Sequence, residues 1–431
     1  MLAEQTNFAA ASPSVSAHSD RSGGDSGDAP ISYPRVAYFP DSFHEVNGVA
    51  HTSRQFQAFA QRRNLPFLCV RAAAPGARRA HAPVQDGNVW SLDLPRGFLS
   101  FALEKDLRFD PAFPRHLPLI GDALKRFQPD LVHITGPSEI GLLGAALAHR
   151  LHLPLAASWH TNVHEYAARR ADWFLRLLPS RQSATAGRKI ESLAMATAAR
   201  LYSTARVLFA PNPQLCALLE RATRRRCYLM PRGVDAELFH PGRRTRPAGD
   251  RERILGFVGR LSVEKNIGLL VEIQRELTRL GISNFRFLIV GHGGDETWLR
   301  ERLPGAEFTG VLRGEPLATA YANMDLFVFP SHTDTFGNVV LEALASGVPA
   351  VVTPDGGPCT IVRDGETGRI VSDDRFAEAI IGLLADSARF ARMRDAARAY
   401  ALTASWDSVF EGVYKAYEDL FPAKIAARSS L

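Results

Sequence analysis

The 431-residue sequence predicts an α/β protein of two doubly wound, parallel-sheet domains facing each other across a cleft. Short apolar runs recur along the chain, each followed by a turn and then a helical period, which is the pattern of parallel strands joined by helical crossovers. The length exceeds what one hydrophobic core usually serves, so two domains of about 200 residues each are expected. A polar stretch rich in Gly and Pro and without apolar period, HPGRRTRPAGDRER at 240–253, separates the runs into two sets.

Taken in order, the run at 35–39 leads into DSFHEVNGVAHTSRQF, where Gly48 ends a turn and a helix is expected from about residue 50. Buried strands are expected at 67–72, 89–92, 131–134, 155–159 and 207–210, alternating with helices such as 118–127 and 140–149. This Rossmann-like first domain is placed at 33–235 and a linker at 236–253. The second domain, 254–405, draws its strands from 254–258, 285–290, 307–309, 326–329, 350–353 and 368–371. Functional residues in such sheets sit at the carboxyl ends of the strands. A last segment, 406–422, carries Trp406, Phe410, Val413, Tyr414 and Tyr417 on one helical side and can dock on either domain.

Composition narrows the function. Apolar residues make up 46% and charged residues 22%, so the body folds without staples. Cys69, Cys216, Cys227 and Cys359 stand far apart, with no CxxC pair or zinc-ligand spacing, which fits a reducing cytoplasm. The formal charge is +6, yet only six of the 51 basic residues are Lys and the Arg are spread along the chain, so nucleic acid is not an expected partner. Residues 1–31 are rich in Ser, Ala, Gly and Asp and read as a disordered leader, neither signal peptide nor anchor. No apolar stretch is long enough to span a bilayer. One segment differs: Arg169, Arg170, Arg176, Arg181, Arg188 and Lys189 alternate with Trp173, Phe174, Leu175, Leu177 and Leu178, a pattern suited to peripheral contact with an anionic membrane at its inner face.

The chemistry concentrates in PSHTDTFGNVVLEALASGVP at 330–349, which leaves a strand, turns through Phe336, Gly337 and Asn338, and enters a helix at Val339. Asp334 is placed at the helix mouth beside the amides of Gly337, Asn338 and Val339, and Glu342 in the first turn. Helix amides suit a phosphate and carboxylates suit sugar diols, so an anionic phosphate and a polyol can be held side by side. In FVGRLSVEKN at 257–266, Arg260 lies at a strand end and Lys265 at the start of the next helix, two cations aimed at one point. No DxD motif stands at a strand end, so these cations take the place of a metal in stabilising a diphosphate leaving group. Gly291 and Gly293 in VGHGGD allow backbone to approach a ligand, with His292 on the loop surface. Gly48, in Asn47-Gly48-Val49, allows the same from the first domain. His160, in SWHTNVHEY, follows a strand. His164 shares its helical face but has no further metal ligands at suitable spacing.

The segment at 334–342 resembles the EX7E motif of family 4 retaining glycosyltransferases of the GT-B fold, with Asp in the first acidic position. The resemblance covers 35–420. It implies that Asp334 binds hydroxyls of the donor hexose and Glu342 the ribose, and that Arg260 and Lys265 neutralise the diphosphate. Gly48, Gly291, Gly293, Phe336, Gly337, Asn338 and Val339 then line the donor site, with His160 beside the reacting carbon. It further implies GDP-mannose or a UDP-hexose as donor, no metal cofactor, a carbohydrate or glycolipid acceptor, front-face attack with retention, and a last helix that crosses back to the first domain. Aspartate is one methylene shorter than glutamate, so the sugar hydroxyls sit closer or are met through water. Two alternatives remain at this point: a nicotinamide-dependent oxidoreductase, which lacks its GxGxxG here, and a nucleotide-binding module without catalysis.

Overall fold

The computed structural model describes residues 33–421 except 46–47, 75, 78, 99, 105–106, 161–194 and 248. The expected leader, Asn47, His164 and the basic segment at 169–189 lie outside the described residues.

The first half begins with β1 (Val36–Phe39), α1 (Gly48–Arg62), β2 (Phe67–Ala72), β3 (Val84–Asp86) and β4 (Val89–Leu94). A separate antiparallel hairpin, β5 (Phe101–Glu104) and β6 (Leu107–Phe109), precedes α2 (Leu117–Phe127), β7 (Leu131–Ile134), α3 (Glu139–Arg150) and β8 (Leu155–Ser158). Then come β9 (Val207–Ala210), α4 (Pro213–Thr223) and β10 (Arg226–Leu229). The strand order is β10-β9-β8-β7-β1-β2-β4-β3, parallel except where β3 meets β4. Sequence reading missed β3, β10 and the hairpin, and missed them for a physical reason. β3 is wholly exposed and β10 is an edge strand with exposed ends, so neither carries the continuous apolar run of a strand buried on both faces.

The second half holds β11 (Arg253–Val258), α5 (Gly268–Arg279), β12 (Phe285–Val290), α6 (Glu296–Arg302), β13 (Glu307–Gly310), α7 (Gly314–Asn323) and β14 (Leu326–Phe329). It continues with α8 (Asn338–Ala345), β15 (Ala350–Val352), α9 (Pro358–Ile361), β16 (Gly368–Ile370), α10 (Phe376–Ala385) and α11 (Ser387–Thr403). Its six strands run β13-β12-β11-β14-β15-β16, all parallel. In each sheet the winding reverses once, between β1 and β7 in the first and between β11 and β14 in the second. Such switch points splay the loops at the carboxyl strand ends and open a crevice there.

Packing follows the two-residue period of the strands. Ala37 and Phe39 face one core of the first domain, while Val36 and Tyr38 face the other, which is closed by the last helix, α12 (Trp406–Tyr417). Phe410 of α12 stacks on Phe56 of α1 at 4.5 Å between ring centroids, and Arg62 pairs with Asp407 at 2.5 Å. The last described helix therefore packs on the first domain. The polar stretch before β11 is anchored on the second domain: Phe239 is buried in its core, and Arg244 and Arg246 reach Asp325 at 3.1 and 2.7 Å. Cys216 and Cys227 are free thiols, both half-buried where α4 packs on β10.

Candidate active site

The second-domain half of the site grows from the switch point. Because β11 and β14 are neighbours, the loops that leave them meet, and Lys265 Nζ donates to both carboxylate oxygens of Asp334, at 2.7 and 2.8 Å. Arg260, from the same loop as Lys265, is largely exposed and stands 4.0 Å from Glu264. Gly337 adopts φ +96° and starts α8 one residue earlier than expected, at Asn338. That places Glu342 in the second turn, not the first. It faces α7, where Tyr321 Oη–H donates to its Oε2 at 2.9 Å, and burial pushes its carboxyl up to about 7.

The loop carrying Asp334 is held from behind by a turn that sequence reading did not single out. Gly357 N donates to Asp334 O at 2.6 Å, and a Cβ on Gly357 would fall 2.3 Å from Phe336 Cα. Gly291 and Gly293 are likewise packed against backbone: a Cβ on either would lie 1.9 Å from Gly259 O or 2.0 Å from Leu261 O. Their lack of a side chain thus shapes the seat of the Arg260 loop. His292 is exposed and pairs with Glu296 at 2.6 Å.

From the first domain, Gly48 opens α1 and faces α8 across the cleft, a Cβ there lying 3.7 Å from Asn338 Nδ2. Two helix N-termini, each a positive dipole end, therefore meet beside the loop that carries Asp334. Phe336 is buried and Val339 half-buried against the second core. Thr335 is clamped by the first domain: its carbonyl accepts from Asn212 Nδ2 at 2.6 Å, and its Oγ1 donates to His160 O at 3.4 Å. Asn212 also caps α4 by accepting from Leu215 N, so one side chain ties a helix start to the site loop.

His160 is buried and uses both ring nitrogens internally. Nδ1 faces Arg232 Nη2 at 2.7 Å and Nε2 faces Ser158 Oγ at 2.8 Å. Burial, with Arg232 and His133 beside it, holds its pKa well below the ordinary value. The chain continues from Ser158 Oγ to His133 Nε2 at 3.0 Å and from His133 Nδ1 to Tyr417 Oη at 2.5 Å. At the ends of β1 and β7, Asp41 accepts from Ser138 Oγ at 2.5 Å, and burial with Glu139 nearby pushes it up to about 7. A Cβ on Gly136 would lie 1.9 Å from its Oδ2, and Arg96 Nε holds Glu139 at 2.9 Å. Asp41, Asn212, Arg232 and Tyr321 escaped sequence reading. Only Asn212 carried a signal, its place before the helix-starting Pro213.

Known proteins resemble this chain in sequence and in fold. The pattern described as Glycosyltransferase Family 4 matches residues 46–238, and that described as Glycosyl transferases group 1 matches residues 252–386. The chain is 31% identical over 405 residues to a GDP-mannose-dependent alpha-mannosyltransferase of Mycobacterium tuberculosis, covering 89% of this chain and 96% of that one. Identity to the protein of the same description from Corynebacterium glutamicum is 30% over 319 residues, 70% and 71% of the two chains. Sucrose-phosphate synthase of Thermosynechococcus elongatus superimposes with a TM-score of 0.68 at 20% identity, over 90% of this chain and 99% of that one. Anabaena HepE, solved with UDP and glucose, gives 0.62 at 15% identity, over 90% and 100%. At those identities the likeness establishes the two-domain GT-B fold.

Proposed function

The chain belongs to glycosyltransferase family 4, and from that premise we propose that it moves a hexose from a nucleoside diphosphate to a hydroxyl acceptor with retention and without a metal ion. The oxidoreductase and non-catalytic alternatives fall with that membership. The observation that carries the reading is the Lys265–Asp334 pair at the mouth of α8. An ammonium has three N–H donors, and two are spent on Asp334, so the third remains for a phosphate oxygen. A carboxylate offers about four lone-pair sites, so Asp334 can accept sugar hydroxyls while it holds Lys265. As the bond from the anomeric carbon to the diphosphate oxygen breaks, charge grows on the diphosphate, where Lys265, Arg260 and the amides of α8 stabilise it. The acceptor oxygen attacks from the same face and passes its proton to the departing phosphate oxygen.

Mannose from GDP-mannose is the first donor to try, because two relatives at about this family's distance carry that description. On the acceptor side, Asp41, Glu139 and Arg96 offer a polar set suited to sugar hydroxyls. Among the described residues no helix is long and apolar enough to cross a membrane. Transfer from GDP-mannose and from UDP-glucose, assayed in excess EDTA with the product's anomeric configuration read by NMR, tests the reading. Turnover restored only by manganese or magnesium, or an inverted product, overturns it.

A further inference from the structure

Arg232 follows β10 and is the only Lys or Arg among the described residues that is fully buried, at 4% exposure. Its guanidinium donates to His160 Nδ1 at 2.7 Å and to Met230 O at 3.4 Å, both neutral partners. Among the described residues no carboxylate pairs with it. Three partly covered guanidinium groups do have a carboxylate, Arg71 with Asp93 at 2.7 Å, Arg96 with Glu139 at 2.9 Å and Arg246 with Asp325 at 2.7 Å, whereas Arg398 is held by the carbonyls of Ala236, Phe239 and Ala345. Leaving a buried cation without an anion costs several kcal/mol. Such a cation can meet an incoming anion with its own desolvation already complete.

The location says which charge. Arg232 lies beside His51 in the first turn of α1 and beside His160, whose carbonyl accepts from Thr335 of the Asp334 loop at 3.4 Å. The N-termini of α1 and α8 meet at the same seam. Arg232 also fixes its neighbour. A guanidinium has no acceptor, so His160 Nδ1 must present a lone pair, and the ring proton sits on Nε2, directed at Ser158. His160 therefore has no free nitrogen for substrate and serves to aim Arg232.

We propose that Arg232 is a third cation of the donor site, supplied by the first domain, and that its guanidinium binds an anionic oxygen of the donor's diphosphate opposite Lys265. The inference rests on the nucleotide-sugar reading above. It explains why the first domain matters to a donor otherwise held by the second: closing the cleft brings the buried charge onto the leaving group.

Calorimetry on the full chain with GDP and with guanosine tests it, with UDP and uridine in their place if the unaltered protein prefers them. Arg232→Met should weaken the diphosphate about 10- to 100-fold while leaving the nucleoside within about 2-fold, and Arg232→Lys should recover most of the loss. Circular dichroism confirms that the variants fold. Unchanged diphosphate affinity in a folded Arg232→Met protein overturns the proposal, as does an equal loss for diphosphate and nucleoside, which would assign Arg232 to the fold alone. If the unaltered protein binds no nucleotide, the functional reading fails instead.

Discussion

The two halves of the site solve the same electrostatic problem in opposite ways. In the second domain the charges come in pairs: Lys265 sits on Asp334, Arg260 stands near Glu264, and Glu342 is capped by Tyr321. In the first domain a cation is buried against a neutral histidine, and that histidine heads a hydrogen-bonded chain ending on the last helix. The paired half is stable when empty and can exchange partners as a ligand binds. The unpaired half holds its charge by rigidity, because each side chain in it is fixed by the next. Donor binding thus has an adaptable wall and a fixed wall.

The largest effect should come from breaking the paired wall. Lys265→Ala is expected to lower kcat by about 100- to 1,000-fold, since it removes a donor aimed at the developing charge. Asp334→Ala should lose transfer to a similar degree yet keep affinity for the free nucleoside diphosphate, which has no hexose. The double variant should be far less impaired than the product of the single losses, because the two groups are hydrogen-bonded and act as a unit. Strictly multiplicative losses in transfer assays would separate their roles.

How much of this was readable beforehand tracks how local each arrangement is. Lys265 and Asp334 lie in compact motifs at the ends of adjacent strands, so the order of residues nearly states the geometry, and the alternation of apolar runs did the same for most of both sheets. The first-domain wall is built from pairs such as Arg232 with His160, 72 residues apart, and His133 with Tyr417, 284 apart. No periodicity reports a contact of that span. The partners within each motif were not readable either: Arg260 stands near Glu264, and Lys265 turns to Asp334, 69 residues on.

The next effect separates the support of each wall. Gly357→Ala places a methyl 2.3 Å from Phe336 Cα, so the Asp334 loop must move. A displacement of about 1 Å there should lower kcat/KM about 100-fold, with about 1–3 kcal/mol of stability lost to overpacking. Gly136→Ala drives a methyl onto Asp41 instead and should raise the acceptor KM with the donor KM little changed. Initial-rate kinetics varying each substrate in turn distinguishes the two.

A smaller effect concerns pH. The folded-state pKa of Glu342, about 7, lies above its ordinary 4.5, so the folded protein favours the protonated carboxyl. The sign follows from linkage: this contribution to stability is fully present below about 4.5 and is lost as pH rises toward 7. Glu342→Gln does not titrate, so it should gain on the unaltered protein across that window and be about 1–3 kcal/mol more stable at pH 8. At pH 8, where the carboxyl is ionised, the same change should weaken nucleotide binding about 10-fold if Glu342 takes the ribose role that the family resemblance implies. Denaturant unfolding at pH 4.5 and 8 measures the first and calorimetry the second; equal stability differences at both pH values would show that the carboxyl is not strained.

The smallest effect on turnover is expected at the far end of the rigid wall. Arg232 sets the direction of the whole chain: His160 Nε2–H donates to Ser158, Ser158 O–H donates to His133 Nε2, and His133 Nδ1–H is left to donate to Tyr417 Oη. Tyr417→Phe removes that last acceptor. His133 can move its proton to Nε2 only if Ser158 Oγ accepts from both imidazoles, which takes from the buried Ser158 O–H the acceptor it has now. Either way one buried donor loses its acceptor, at a cost of about 1–3 kcal/mol of stability. His160 remains held by Arg232 and Ser158, so kcat should fall no more than about 2-fold, a change worth about 0.4 kcal/mol. Nitrogen-15 spectra of the imidazole rings should show His160 keeping its proton on Nε2 in the variant. A shift of that proton to Nδ1, or a loss of turnover comparable to that of Lys265→Ala, would mean that the chain is set from the helix end and not by Arg232.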